Sequence, residues 1–427
     1  MKILNNFIDN NIKKIIMSFI IIQPILDAIT GINLNFFNIT FPFTPIVRLI
    51  FMLICMYYVI FINREKNDFK RLVIQLIYMI IFVVSVLVFK GKYALTYEIT
   101  NLLNTFYLPI LVVCLLNIFK HKKICLDFKF LVTVYLIYLA LIIIPNVTGT
   151  AFLSYSHSKV GHVGWFPLAN VIGNVLCILF PLIIYYIVKS EKKYLFKFLI
   201  IVSILYVFVS MGTKVPLLGL LICLFFNFIF YIISLLRKKD YKKLTISCSS
   251  CLVLFIFGLL LIPKTAFYKN IQIHKDFLGI NNYSEILTDY NLIDHFVFSQ
   301  RLTFLSTIHN SNKDCGIIKK IIGIGYIKNY GTDISTKTIE IDYFDILYEN
   351  GILGFVVFLY IMLPIFIQAF KKVKSNSFIN LQYRISLFLI LLISLFAGHM
   401  LISPAASLFV ALILVFIVNG GLNEKVS

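Results

Sequence analysis

Twelve stretches of this chain run close to the roughly 20 apolar residues that a helix needs to cross a bilayer, and no other feature limits the fold so strongly. They cover residues 13–32, 43–62, 72–89, 99–119, 129–145, 167–188, 195–213, 215–236, 244–262, 350–370, 384–400 and 403–420. Inside hydrocarbon every backbone N–H and C=O must find a partner within the protein, so repeated apolar runs of this length predict helices. The chain is 60% hydrophobic and 14% charged, with a mean hydropathy of +0.93, more apolar surface than a water-soluble core of 427 residues conceals. The expected fold is therefore all-α, a polytopic transmembrane bundle of about twelve spans. The seventh and eighth are separated only by Lys214 and also read as one broken helix.

The distribution of charge orients the bundle. A net charge of +20 in a soluble protein would suggest nucleic acid, but here the basic residues stand in short runs between apolar segments, as in cytoplasmic loops. With the N-terminus inside, the runs NREKNDFKR, KHKKICLDFK, KSEKKYLFK, RKKDYKK and KKVKSNSFINLQYR fall inside with Lys2, Lys13, Lys14 and Lys425, 25 of the 39 Lys and Arg residues. Every inner connection then outweighs its short outer neighbours, the long loop with its nine basic residues standing outside a rule that counts short loops, and both termini are expected in the cytoplasm. The first stretch contains Gln23, Pro24 and Asp27, lacks a small-residue cleavage site and leads into further spans; it reads as a retained helix rather than a cleaved signal.

Three regions follow: helices one to nine over 1–262, a polar, partly helical loop over 263–343 expected outside the cell, and helices ten to twelve over 344–427. The loop holds Asp276, Glu285, Asp289, Asp294, Asp314, Asp333, Glu340 and Asp342, with His274, His295 and His309. Apolar residues recur at helix-compatible spacing through YSEILTDYNLIDHFVFSQRLTFLSTI, so a lid or substrate-facing unit is expected rather than a tether. Seven of the eight cysteines lie in or beside apolar stretches, and Cys248 and Cys251 form a C-x-x-C with no second pair and no nearby His, so neither metal nor redox chemistry is expected of them.

SQRLTFLSTI, then KKIIGIGY, then IEIDYFDILYENGILGFVVFLYI, in this order and directly before an apolar stretch, resemble the O-antigen ligase and polysaccharide polymerase family of bacterial membrane proteins. IIQPILDAITG and SMGTKVPLLGLL look like motifs of its Gram-positive members. The resemblance implies an inverting, metal-independent glycosyltransferase without cofactor. Its substrates would be glycan chains on undecaprenyl diphosphate, transferred at the outer face of the cytoplasmic membrane to a hydroxyl of another chain or carrier. Many members carry a His, in a pattern like H-N-x-x-L, where this chain has Glu340 in EIDYFDIL.

The residues can be weighed for that chemistry on their own terms. A lipid diphosphate leaving group calls for fixed cations at the membrane boundary; the candidates are Arg301, Lys214 and Arg48. Arg301 also reads as one half of a surface salt bridge with Asp294 or a neighbour, and Lys214 and Arg48 as side chains snorkelling to the surface. The acceptor hydroxyl needs a base, for which Glu340 or Asp342 is the candidate; both also read as acids favoured by a helix N-terminus.

Asp27, inside the first stretch, is expected to pair with Arg48 or meet a substrate group. His162 and Trp165 stand on an outer connection, where Trp165 either anchors at the interface or stacks on a sugar. His399, late in the eleventh stretch, reads more readily as a packing residue, and Gly323 and Gly325 as a tight turn, since no strand or third glycine accompanies them. A transporter or flippase of lipid-linked saccharides is the rival reading, and a scaffold without chemistry a third. Transporters carry repeats with paired midplane charges, whereas the one large polar insert here is asymmetric.

Overall fold

The structure is a computed structural model that describes residues 2–39, 41–155, 159–280, 282–313, 315–330, 333–335 and 338–423, with backbone alone at 251–259, 283, 287, 328–330 and 333–335. Asp314 and Lys425, counted above, lie outside the described residues, as do the side chains of Cys251 and Asp333.

Each of the twelve apolar stretches falls on a helix: α1 Lys2–Phe36, α2 Phe43–Tyr57 with a π turn to Ile62, α3 Lys66–Phe89, α4 Leu95–His121, α5 Phe128–Thr148, α6 Ala169–Lys189, α7 Tyr194–Ser210, α8 Lys214–Arg237, α9 Tyr241–Leu261, then α15 Asp342–Lys372, α16 Phe378–Phe396 and α17 Pro404–Asn419. Among the described residues nine helices are long and apolar enough to cross a membrane, and α7 and α17 are shorter apolar helices. The uncertain seventh and eighth stretches are two helices, broken at Met211–Gly212–Thr213.

The last helix lies at the centre. From Ala405 to Ile417 every residue of α17 is buried, packed on α4, α6, α15 and α16. Around it the chain connections divide between the two ends of the bundle. At one end Lys122 pairs with Asp9 and Lys120 with Glu65, Leu126–Asp127 runs parallel to Leu422–Asn423, and Phe378 stacks near Tyr185 and Phe230. These are the lysine- and arginine-rich connections, with the C-terminal ends of α4, α6, α8 and α17. The opposite end carries the 149–168 connection, the 211–213 break and residues 397–403.

A polar lobe caps that second end. It comprises α10 Ala266–Phe277, α11 Tyr283–Thr288, α12 Tyr290–Ile293, a π turn Asp294–Phe298, α13 Arg301–Lys313, α14 Ile317–Ile322 and the hairpin pair Lys328–Tyr330 and Asp333–Ser335. Its glycines allow close approach to the bundle. A side chain at Gly323 would meet the Glu349 carbonyl at 2.2 Å, and one at Gly325 would meet Lys90 Nζ at 2.4 Å. The turn they form inserts between α15 and the Lys90–Glu98 pair, whose carboxylate accepts the N–H groups of Tyr326 and Ile327 at 2.8 and 2.9 Å.

Two expectations change here. α16 ends at Phe396, so His399 belongs to the non-helical connection to α17 rather than to a span; Gly398 and His399 both take left-handed backbone angles that stop a helix. Asp294 does not pair with Arg301 but caps α13, accepting from Leu302 N at 3.0 Å and Thr303 N at 2.9 Å.

Candidate active site

Three segments distant in sequence meet at one point: the start of α13, the residues before α15, and the α16–α17 connection. Arg301 joins them. Its Nη2 donates to Glu340 Oε2 at 2.8 Å and to the Ala397 carbonyl at 3.1 Å, its Nε to the Glu340 carbonyl at 3.1 Å, and its Nη1 to the Phe298 carbonyl at 3.2 Å. Arg301 is buried. Glu340 Oε1 faces His399 Nε2 at 3.9 Å, an ion-pair separation rather than a hydrogen bond.

The junction is held in costly backbone. Ser299, Gln300, Glu340 and His399 have φ of 56°, 68°, 62° and 58°. Each non-glycine residue in that region costs about 1–3 kcal/mol and persists only where its surroundings over-determine it. Gly398 serves the same contact, because a Cβ there would stand 2.4 Å from the Glu340 carbonyl oxygen.

The two acids differ. Asp342 is fully buried, and its Oδ2 accepts from Met400 N at 2.9 Å and Leu401 N at 2.7 Å, which fixes the α16–α17 connection. Asp345 holds the turn before α15 in the same way, accepting from Ile339 N at 2.7 Å and Ile341 N at 3.2 Å. Glu340 keeps about a third of its side chain exposed. Burial opposes its charge, but His399 and Arg301 outweigh that and hold the carboxyl below its usual value. Burial likewise discourages a charged His399, yet Glu340, reinforced by Asp342, lifts the imidazole above its ordinary value.

Lys214 approaches the same junction from α8. Its Nζ donates to the Phe296 carbonyl and sits 5.7 Å from the centre of that ring. The positive fields of Lys159 and Arg301 both reach it. His274 stacks on Phe296 with ring centres 5.5 Å apart, and burial, helped by Lys159, Lys214 and His295, drives its pKa down to about 4.

Asn270 of α10 positions these cations. It accepts from Val160 N at 2.7 Å and donates to the carbonyls of Val160 at 2.6 Å and Gly212 at 2.9 Å, tying the residue after Lys159 to the break before Lys214.

Of the residues singled out from sequence, Arg301, Lys214 and Glu340 come together, with Asp342 behind them. Asp27 and Arg48 form their own ion pair elsewhere, joined by Gln23. His162 is exposed on the hairpin Phe152–Leu153/His162–Gly164, and Trp165 Nε1 donates to Thr150 Oγ1 at 3.1 Å. Lys159, Asn270 and His399 were not singled out as site residues. Lys159 belongs to no motif, and the one available signal for His399 was a Gly-His pair between two apolar runs. Among the described residues no three His, Cys, Asp or Glu side chains gather as metal ligands do.

A family model described as O-antigen ligase like membrane protein matches residues 9–286 and 285–420 of the chain. No curated protein matches it.

Proposed function

Since the chain belongs to the O-antigen ligase-like membrane protein family, which supports a cell-surface polysaccharide ligase or polymerase, we propose that it is an inverting glycosyltransferase for lipid-linked glycans. The donor is a glycan on undecaprenyl diphosphate, and the acceptor is a hydroxyl of another chain or lipid carrier. The reaction takes place at the outer face of a bacterial cytoplasmic membrane, with both termini and the basic connections in the cytoplasm and the polar lobe outside. Twelve crossings accord with the division of connections between the two ends of the bundle. Neither metal nor cofactor is invoked.

The observation that carries this reading is the convergence of Arg301 and Lys214 on the Phe296–Phe298 turn, beside a carboxylate, in strained backbone. In the resting arrangement Glu340 neutralises Arg301. An arriving diphosphate takes the guanidinium, which holds phosphate oxygens in a bidentate fork, and so frees Glu340 Oε2. The acceptor oxygen then attacks the anomeric carbon from the face opposite the diphosphate. As that bond forms, the bond from carbon to the diphosphate oxygen breaks, the electron pair leaves with the diphosphate, and Glu340 receives the hydroxyl proton. Arg301, Lys214 and Lys159 stabilise the departing charge, and Asp342 positions the connection carrying His399.

The test is transfer by purified protein in proteoliposomes supplied with a lipid-linked glycan. Wild type joins chains, whereas Arg301→Ala, Lys214→Ala and Glu340→Gln insert normally and leave the donor unused. Normal joining by all three variants would end the proposal.

A further inference from the structure

A cavity of about 360 Å3 opens between α1, α2, α6 and α17, apart from the Arg301 junction, and its polar wall consists of Asp27, Thr30, Thr44, Arg48 and Ser403. The rest of the wall is apolar, with Leu34, Leu168, Val171 and Ile172.

The ion pair determines what this cavity can hold. Arg48 Nη2 donates to Asp27 Oδ1 and Nε to Gln23 Oε1 at 3.3 Å, while Gln23 Nε2 donates to Asp27 Oδ2 at 2.8 Å. The triad is electrically neutral, and Asp27 would repel a phosphate brought to Arg48. Hydrogen-bonding capacity remains. Among the described residues Arg48 Nη1 has no partner, and Ser403, although it precedes α17, makes no side-chain capping bond. The guanidinium nitrogen can donate and the Ser403 hydroxyl can donate or accept, so a polar ligand seated in this largely apolar recess finds partners on its wall. A group rich in hydroxyls meets donors and acceptors alike without adding charge, and an attached hydrocarbon fits the Leu34, Leu168 and Val171 side.

We propose that this cavity binds the uncharged saccharide head of a membrane glycolipid. Its place in the fold gives the ligand a role. The short connection before α17 borders both sites, since Ala397 offers its carbonyl to Arg301 and Ser403 lines the cavity. The glycolipid is the acceptor if the chain joins glycans; that assignment rests on the function proposed above, whereas the saccharide site does not.

The experiment is native mass spectrometry of the full-length protein released from nanodiscs containing diglucosyldiacylglycerol or phosphatidylglycerol. Wild type and Arg301→Ala each retain one glycolipid. Retention falls about tenfold or more in Asp27→Asn/Arg48→Gln, as expected for the loss of a charge-assisted hydrogen bond. Leu168→Trp, at a position 61% exposed, blocks the mouth without touching the pair and gives the same loss even if the double variant fails to fold. Undiminished glycolipid in Leu168→Trp, or phosphatidylglycerol retained as well as glycolipid, overturns the proposal. A wild type that retains glycolipid but joins no chains removes only the acceptor assignment.

Discussion

Lys214 and Arg301, 87 residues apart in the chain, donate to the same short turn, Lys214 to the carbonyl of Phe296 and Arg301 to that of Phe298. One cation comes from the first residue of a bundle helix and the other from the first residue of a lobe helix. Their separation therefore depends on how the lobe is seated, and so does any phosphate held between them.

Replacing Arg301 by Ala should lower chain transfer about 100-fold or more, the scale set by losing one preorganised stabiliser of developing negative charge. Arg301→Lys should recover only part of this, because an ammonium cannot reproduce the three nitrogens that reach the Glu340 carbonyl, the Phe298 carbonyl and the Glu340 carboxylate. Single-turnover transfer in proteoliposomes measures both.

Transfer should follow a bell-shaped pH profile. Glu340 has a depressed pKa, so its pairing with Arg301 contributes fully above the usual carboxylate value and is lost as pH falls through the lower, folded value. His399 has a raised pKa, so its contribution is complete below the usual imidazole value and is lost as pH rises through the higher, folded one. His399→Gln should flatten the alkaline limb and leave the acid limb in place.

Gly398→Ala should be severe, since the new Cβ meets the Glu340 backbone at 2.4 Å in addition to adopting φ +65°. Gly149→Ala is the control, with φ +71° but open space around it. Thermal unfolding in detergent should show a loss of about 1–2 kcal/mol for the control and a distinctly larger one for Gly398→Ala, with transfer abolished only in the latter.

Asn270→Ala should loosen the lobe, because it strands the Val160 and Gly212 backbone groups at about 1–3 kcal/mol for each buried group left unpaired. Hydrogen exchange should quicken across Ala266–Phe277 and at 159–161, with transfer falling even though Asn270 touches no proposed substrate.

The native cysteines test the orientation. Cys315 belongs to the lobe and Cys125 is exposed at the basic end of the bundle. A membrane-impermeant maleimide should label Cys315 in intact cells and Cys125 only after permeabilisation; the reverse order would place the lobe in the cytoplasm.

The helices were legible because burial in lipid demands long apolar runs, and no other fold tolerates so many. The Asp27–Arg48 pair was legible for a related reason, since a lone carboxylate at that depth is too costly. The partner of Arg301 was not. Asp294 lies seven positions away and Glu340 thirty-nine, and proximity along the chain favoured the nearer acid. The nearer acid was already engaged by the N–H groups opening α13, a bond visible only once the start of that helix is known. Lys159 and Asn270 left no pattern, because their importance comes from a contact between a hairpin, a helix break and the lobe. His399 was hidden by its apolar neighbours, which made a helix seem to continue past the point where Gly398 ends it.

The burial of α17 also bears on how the protein is made. This helix comes after α4, α6, α15 and α16 in the chain, yet all four rest on it. Its 16 residues span roughly 24 Å at 1.5 Å per residue, short for a bilayer but sufficient for a helix solvated by other helices. Biogenesis must therefore keep an empty seat among the earlier helices until α17 has been made. A chain stalled before Pro404 would hold every proposed catalytic side chain but lack the finished wall against which they are fixed.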